Sequence, residues 1–261
     1  PPADAWVDPS RPKDRALVTH GHSDHARGGH GAVWATPETL AIMATRYGDQ
    51  NGNPVAYGET MRVGEVDVRF VPAGHVLGSA QIVLEHAGER VVVSGDYKRR
   101  DDPTCAPFEP VPCDIFITEA TFGLPVFRHP DTGGEIDRLL HRLHADPSRC
   151  VLVGAYALGK AQRVIAELRQ RGHERPIYYH GAVERLCMLY EELGVSLGEM
   201  RHTASATKEE MAGHIVIAPP SALNDRWSRR LPDPVTAMAS GWVRIRQRAR
   251  QADVELPLVI S

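Results

Sequence analysis

The chain holds only four cysteines, Cys105, Cys113, Cys150 and Cys187, and no two of them form a Cys-x-x-Cys pair. Four thiols in 261 residues do not make a disulfide scaffold, so reduced thiols in a cytoplasmic protein are expected. No stretch approaches the roughly 20 consecutive apolar residues needed to cross a bilayer, so no membrane attachment is expected. The opening Pro1-Pro2-Ala3-Asp4-Ala5-Trp6 lacks the basic and apolar regions of a signal peptide. There is no internal repeat and no low-complexity tract. Nor is there an excess of positive charge: the formal net charge is −3, which weighs against nonspecific wrapping of nucleic acid. Carboxylates that bind metal are neutralised, however, and a basic groove can be local.

What is present is a globular balance, with 42% hydrophobic and 24% charged residues. Basic clusters stand at Lys98-Arg99-Arg100, at Arg226 to Arg230, and along the alternating run from Arg244 to Arg250. Up to Thr118 the pattern is one of short strands broken by turns. Arg15 to Thr19 is a compact apolar run, Val66 to Val71 alternates, and Gln81–Leu84 and Arg90–Val93 flank a turn. Asp114 to Thr118 has the continuous apolar character of a buried strand. One helix is marked here, with Thr36 as N-cap and Pro37 at its first position.

After Pro125 helical and strand patterns alternate. Helices at 136–143, 160–169 and 183–193 separate strands at 150–153, 177–179 and 214–218, which implies βαβ units and a parallel sheet. Strand-like 236–239 and 256–260 return to the earlier style. The expected organisation is therefore a first domain over residues 1–124, an inserted α/β domain over 125–235, and a return segment over 236–261.

The chemistry begins at His20-Gly21-His22-Ser23-Asp24-His25, directly after a predicted strand. On such a loop, residues two apart project the same way, so His20 and His22 can grip one ion. Asp24 and His25 face a neighbouring position. Imidazole with carboxylate suits zinc, manganese or iron in a site that keeps open positions. Two further residues fit this set. His75 enters a glycine-flanked turn, Gly74 to Gly78, and Asp96 ends the strand Val91-Val92-Val93.

These segments in this order resemble the metallo-β-lactamase superfamily. The resemblance implies that His20, His22 and His75 hold a first metal, that Asp24 and His25 hold a second, and that Asp96 bridges both. Asp8 takes the place of an early carboxylate supporting the ligand histidines. Thr118-Glu119-Ala120-Thr121 resembles an acidic motif of the β-CASP nucleases, and Gly154 to Gln162 resembles the strand-to-helix turn of their inserted domain. That turn sets free backbone N–H groups and Lys160 at a helix N-terminus, which favours a phosphate. Pro72 to Gln81, Ser94 to Arg99 and Pro107 to Pro110 are most similar to the bacterial DNA-ligase-associated exonucleases.

The resemblance implies an α/β fold: a metallo-β-lactamase αββα sandwich carrying an inserted β-CASP domain, with the C-terminal part of the sandwich absent from this chain. It also implies a further histidine on the second metal, beyond Ser261. The second metal is thus expected to have Asp24, His25 and Asp96 alone, and to be held weakly. The expected activity is phosphodiester hydrolysis with two divalent cations, zinc or manganese. Asp24 and Glu119 are the expected catalytic carboxylates, and Lys160, Lys98, Arg99 and His180 the expected phosphate or substrate contacts. His180 follows a strand and opens a helix, so a capping or packed histidine is the first expectation there and substrate contact the second. DNA is expected over RNA, in repair with an ATP-dependent ligase and a helicase. The rival expectations are an RNA-processing β-CASP nuclease and a noncatalytic nucleic-acid scaffold.

Overall fold

The structure is a computed structural model that describes residues 2–125, 127–244 and 252–257. It is a mixed α/β protein of two compact units, one running through Phe122 and the other from Gly123 onward.

The first unit contains β1 (Trp6–Val7), β2 (Arg15–Leu17), β3 (Ala32–Ala35), α1 (Pro37–Tyr47), β4 (Gly52–Pro54), β5 (Thr60–Val63), β6 (Val66–Pro72), β7 (Ala80–His86), β8 (Glu89–Val93) and β9 (Ile115–Ile117). Strands β1 to β4 form a parallel sheet in chain order. Strands β5 to β9 form a second sheet, antiparallel except for the parallel β8–β9 pair. The period-two alternation of strands then sorts the side chains into layers. Leu17 joins Val63, Val68, Phe70 and Ile82 in the core shared by the two sheets. Its neighbours Ala16 and Val18 face the other way and pack with Val33, Ala35 and Met43 of α1. Helix α1 starts as its sequence predicts: the Thr36 hydroxyl accepts the Thr39 N–H at 3.2 Å, and Pro37 occupies the first turn.

One strand departs from expectation. The apolar run Ile115-Phe116-Ile117 is exposed, not buried. Strand β9 lies at the edge of its sheet, paired among the described residues with β8 alone, and the Tyr97 ring meets Phe116 edge-on at 6.2 Å.

The second unit contains α2 (Thr132–Ala145), β10 (Val151–Gly154), α3 (Lys160–Gln170), β11 (Ile177–Tyr179), α4 (Gly181–Glu192), β12 (Met200–His202), β13 (Ile215–Ala218), β14 (Val235–Ala239) and β15 (Val254–Leu256). Its sheet is wholly parallel, in the order β12-β11-β13-β10-β14-β15. The central strands β10 and β13 are buried along their whole length, as a parallel sheet covered on both faces requires. On one face Leu152, Tyr178 and Val216 pack with Leu223 and Leu231, which follow β13.

Residues 236–239, expected to open a return to the first domain, join the sheet of the second unit. Strand β14 pairs in parallel with β10, Val151 beside Val235 through Gly154 beside Met238, and β15 extends the same sheet. An alternating apolar strand carries no mark of which sheet it will join, and here the exposed flank of β10 takes it. The arginines at 246, 248 and 250, and the strand expected to continue to Ile260, lie outside the described residues.

Candidate metal centre

Strand β2 leads through Val18 and Thr19 into the histidine loop, which turns sharply: the N–H groups of His25 and Ala26 both bond the His22 carbonyl, at 3.1 and 2.7 Å. Arg46, from the last turn of α1, donates to the Gly21 carbonyl at 2.5 Å and holds the loop against the helix. His75 arrives from the end of β6 on a turn closed by Ser79, whose hydroxyl accepts the N–H groups of His75 and Val76 at 3.0 and 3.1 Å. Asp96 follows β8. Gly95 before it has φ +54°, and a Cβ there would stand 2.6 Å from the Thr19 hydroxyl oxygen. Only glycine lets this turn sit directly on the strand that delivers His20.

Together these elements bring His20, His22, His75 and Asp96 to one point, with one ligand atom from each lying within 4.8 Å of the others. His22 Nδ1 is 3.1 Å from His20 Nε2 and 3.0 Å from His75 Nε2. Asp96 Oδ2 is 3.9 Å from His20 Nε2 and 3.5 Å from His75 Nε2. Ligand atoms about 2.0–2.1 Å from a tetrahedral ion stand roughly 3.3–3.4 Å apart, so these spacings fit one cation. The other oxygen, Asp96 Oδ1, faces His25 Nε2 at 3.3 Å, and Asp24 Oδ2 stands 3.9 Å from that same nitrogen. The Asp24 side chain is largely exposed, whereas His20 and His75 are buried.

Asp8 stands behind the ligands. Its carboxylate accepts the Thr19 N–H at 2.8 Å, the Thr19 hydroxyl at 2.6 Å and a bond from His25 Nδ1 at 2.8 Å. The backbone of Asp8 is left-handed, at φ 45°, a conformation aspartate adopts more readily than most residues. The Thr19 hydroxyl also meets His20 Nδ1 at 3.1 Å, so both rings are held through their far nitrogens with Nε2 turned inward.

The electrostatics follow from these contacts. Burial, and then the neighbouring His75, His22 and His25, hold His20 well below the usual histidine range, so its ring is neutral and offers a lone pair. His25 is pushed up to about 10: burial opposes its charge, but hydrogen bonds to Asp8 and Asp96 outweigh that. Asp96 lies below the usual carboxylate range despite burial, through its bond to His25 and the charge of His75.

The other sequence-derived candidates have separate settings. Glu119 is half-buried just past β9, its carboxylate accepting the Thr121 N–H at 2.5 Å. The Ser94 N–H bonds the Ile117 carbonyl at 2.9 Å, so the Glu119 and Asp96 segments leave the same end of the sheet. Lys98 corrects its expectation as a phosphate contact: it is buried, and its ammonium pairs with Asp102, whose other oxygen accepts from Thr104. The partner four residues on draws the side chain inward. Arg99 is exposed. In the second unit, Lys160 is buried in the first turn of α3, with its nitrogen 5.5 Å from the Tyr156 ring centre. His180 caps α4, its Nδ1 accepting the Ala182 N–H at 3.0 Å.

The sequence reading missed three bracing residues, Thr19, Arg46 and Ser79. Only Thr19 carried a signal, standing between the strand and the first histidine.

A histidine–carboxylate cluster at strand ends of an α/β unit, braced from behind by a carboxylate, is a group that could hold a metal ion. No family model matches the chain. It is 33% identical over 244 residues to a probable DNA ligase of Opitutus terrae, a match covering 91% of this chain and 23% of that protein. It is 29% identical over 217 residues to a ribonuclease of Thermus thermophilus, covering 69% of this chain and 49% of that one. To cleavage and polyadenylation specificity factor 73 of Drosophila melanogaster it is 33% identical over 132 residues, 46% of this chain and 19% of the factor. The chain thus spans about a quarter of the first of these relatives and half of the second. Among solved structures, a protein of unknown function from Enterococcus faecalis V583 shares the fold, with a TM-score of 0.55 at 12% identity, over 92% of this chain and 68% of that one. The chain belongs to the β-CASP metallo-β-lactamase family. Among the described residues no helix is long and apolar enough to cross a membrane.

Proposed function

We propose that this chain is a metal-dependent phosphodiesterase acting on nucleic acid, and specifically a DNA exonuclease. The observation that carries the reading is Asp96, whose two carboxylate oxygens face different groups: His20 and His75 on one side, His25 on the other. In this reading the first unit is part of an αββα sandwich, and the parallel-sheet unit is its β-CASP insertion.

His20, His22 and His75 would hold one cation, Asp24 and His25 a second, and Asp96 would join the two. Two divalent cations, zinc or manganese, would supply Lewis-acid stabilisation of the phosphoryl oxygens and a water of lowered pKa. Asp8 fixes the His25 ring so that Nε2 points at Asp96. Asp24, largely exposed, would orient the attacking water. Glu119 would brace the ligands or hold a proton. Lys160, Arg99 and His180 would hold backbone phosphates, which position a strand without reading its sequence.

The DNA reading, and a place in repair beside an ATP-dependent ligase and a helicase, is supported by likeness over 91% of the chain to a probable DNA ligase. An RNA-processing role is supported by the Thermus ribonuclease and the Drosophila factor. Incubating the chain with labelled single-stranded DNA and matched RNA, with manganese or zinc, separates them. Shortening of DNA that His22→Ala and Asp96→Asn abolish, at unchanged circular dichroism, is the expected result. Cleavage of RNA alone favours the ribonuclease reading. Binding without any metal-dependent turnover overturns the enzyme.

A further inference from the structure

We propose that the carboxyl edge of the second unit's sheet, at His180 and His202 beside the turn Arg226–Arg230, binds phosphate groups of single-stranded nucleic acid. The proposal deepens the nuclease reading and rests on it for the nature of the ligand.

Strands β11 and β12 run parallel, Tyr179 beside His202, so His180 and His202 emerge at the same end of the sheet. Each histidine caps the turn that follows it. His180 Nδ1 accepts the Ala182 N–H at 3.0 Å, and His202 Nδ1 accepts the Ala204 N–H at 2.9 Å. A ring nitrogen that accepts an N–H carries no hydrogen of its own, so each neutral ring must carry its hydrogen on Nε2. Both residues are therefore fixed as Nε2–H donors, and neither Nε2 has a protein partner among the described residues. A metal would need the Nε2 lone pair and hence the loss of a cap. An oxygen acceptor needs neither.

The two rings are neighbours. His202 Nε2 lies 3.0 Å from where a Cβ on Gly181 would stand, so the absence of a side chain next to His180 admits it. The His180 ring meets Trp227 edge-on, with centroids 4.6 Å apart. Trp227 is anchored in the core beneath and belongs to the 3-10 turn Arg226–Arg230. That turn exposes Arg226, Arg229 and Arg230, and none of them makes an ion pair among the described residues. In a 3-10 turn residues three apart eclipse, which puts Arg230 on the side of Trp227. Asp225 is the carboxylate that acts on His180, against three unpaired arginines. Two N–H donors beside a surplus of positive charge suit an anionic, oxygen-rich ligand. Three arginines exceed what a single phosphate needs, and an extended phosphodiester chain uses them all.

The test measures anisotropy of a fluorescein-labelled single-stranded oligonucleotide bound to the full chain in EDTA, across a salt series. Asparagine is among the best helix N-caps, so His180→Asn with His202→Asn keeps both caps and removes both Nε2–H donors. That variant is expected to bind about tenfold more weakly at an unchanged melting temperature. Arg226→Gln with Arg230→Gln is expected to lower the slope of log affinity against log salt by about 1.4, two phosphates at roughly 0.7 each. Preference for a 5′-phosphorylated oligonucleotide over a 5′-hydroxyl one supports capture of a terminal phosphate, and equal affinity supports capture of internal ones. Wild-type affinity and slope in both variants overturn the proposal. Hydrolysis of bis(p-nitrophenyl) phosphate with manganese, which needs no strand, tells the two readings apart. Hydrolysis with unaffected oligonucleotide binding in the variants overturns this surface alone, whereas failure of wild type in both assays overturns the nuclease reading and the surface with it.

Discussion

The Asp8 carboxylate stands 2.8 Å from Nδ1 of His25, on the side away from Asp96. This contact sets the ring's direction and raises the basicity of its inner nitrogen. Asp8→Asn keeps the size of the side chain and removes its charge. Metal affinity is expected to fall about 10–100-fold, as is usual for a lost outer partner of a ligand histidine. Competition with a chromogenic chelator measures it, and an affinity unchanged from wild type would show that Asp8 is only a turn residue.

Gly95→Ala places a Cβ 2.6–2.7 Å from the Thr19 side chain at φ +54°. The collision adds to the backbone strain, and a loss of about 2–4 kcal/mol is expected. Gly88→Ala is the matched control: its φ is +84° and nothing lies within 4 Å of the added carbon, leaving the strain of about 1–2 kcal/mol alone. Urea unfolding of the two variants compares them. Equal losses would mean that the Gly95 turn does not rest on Thr19.

Lys98 and Asp102 form an ion pair with both side chains almost wholly buried. Asp102→Ala leaves an ammonium without its carboxylate and is expected to cost about 3–5 kcal/mol. Lys98→Met combined with Asp102→Leu, which removes both charges, should recover most of that stability. If the double variant is as unstable as Asp102→Ala, packing of the aspartate outweighs the charge.

His173 is buried, and its Nε2 has no hydrogen-bond partner among the described residues. Burial, followed by the charges of Arg169 and Arg175, pushes it down to about 4. Its folded value lies below the ordinary 6.5, so the unfolded chain binds the extra proton first. The stability this neutral ring permits is complete above about pH 6.5 and is lost as pH falls towards 4, by roughly 2–3 kcal/mol. His173→Leu should flatten that part of the stability–pH curve in denaturant titrations. A variant with the wild-type slope would place the acid sensitivity elsewhere.

His20 and His22 could be paired from the sequence because they follow a strand pattern two residues apart, whereas His75 and Asp96 joined them through the resemblance to the metallo-β-lactamase superfamily. Helix α1 was legible for a similar reason, since Thr36 and Pro37 are local signals acting on local backbone. Arg46 and Ser79 were not, because a single polar side chain that bonds a distant carbonyl or turn leaves no periodic trace. Lys98 misled because a run of basic residues looks like surface, while its partner Asp102 looks like part of a polar loop. The β9 run and the β14 strand failed together on one physical point. Apolar side chains tell how much a segment gains from being covered, but not which neighbour arrives to cover it.

That gain has a practical edge at β9. Ile115, Phe116 and Ile117 stand exposed on a strand that pairs, among the described residues, with β8 alone. A short, uncharged, apolar strand edge is a template on which other strands add. Two copies of this chain brought together at high concentration have there a ready seam for joining. Such a seam would run through Ile115, Phe116 and Ile117, none of them a member of the His20, His22, His75 and Asp96 cluster.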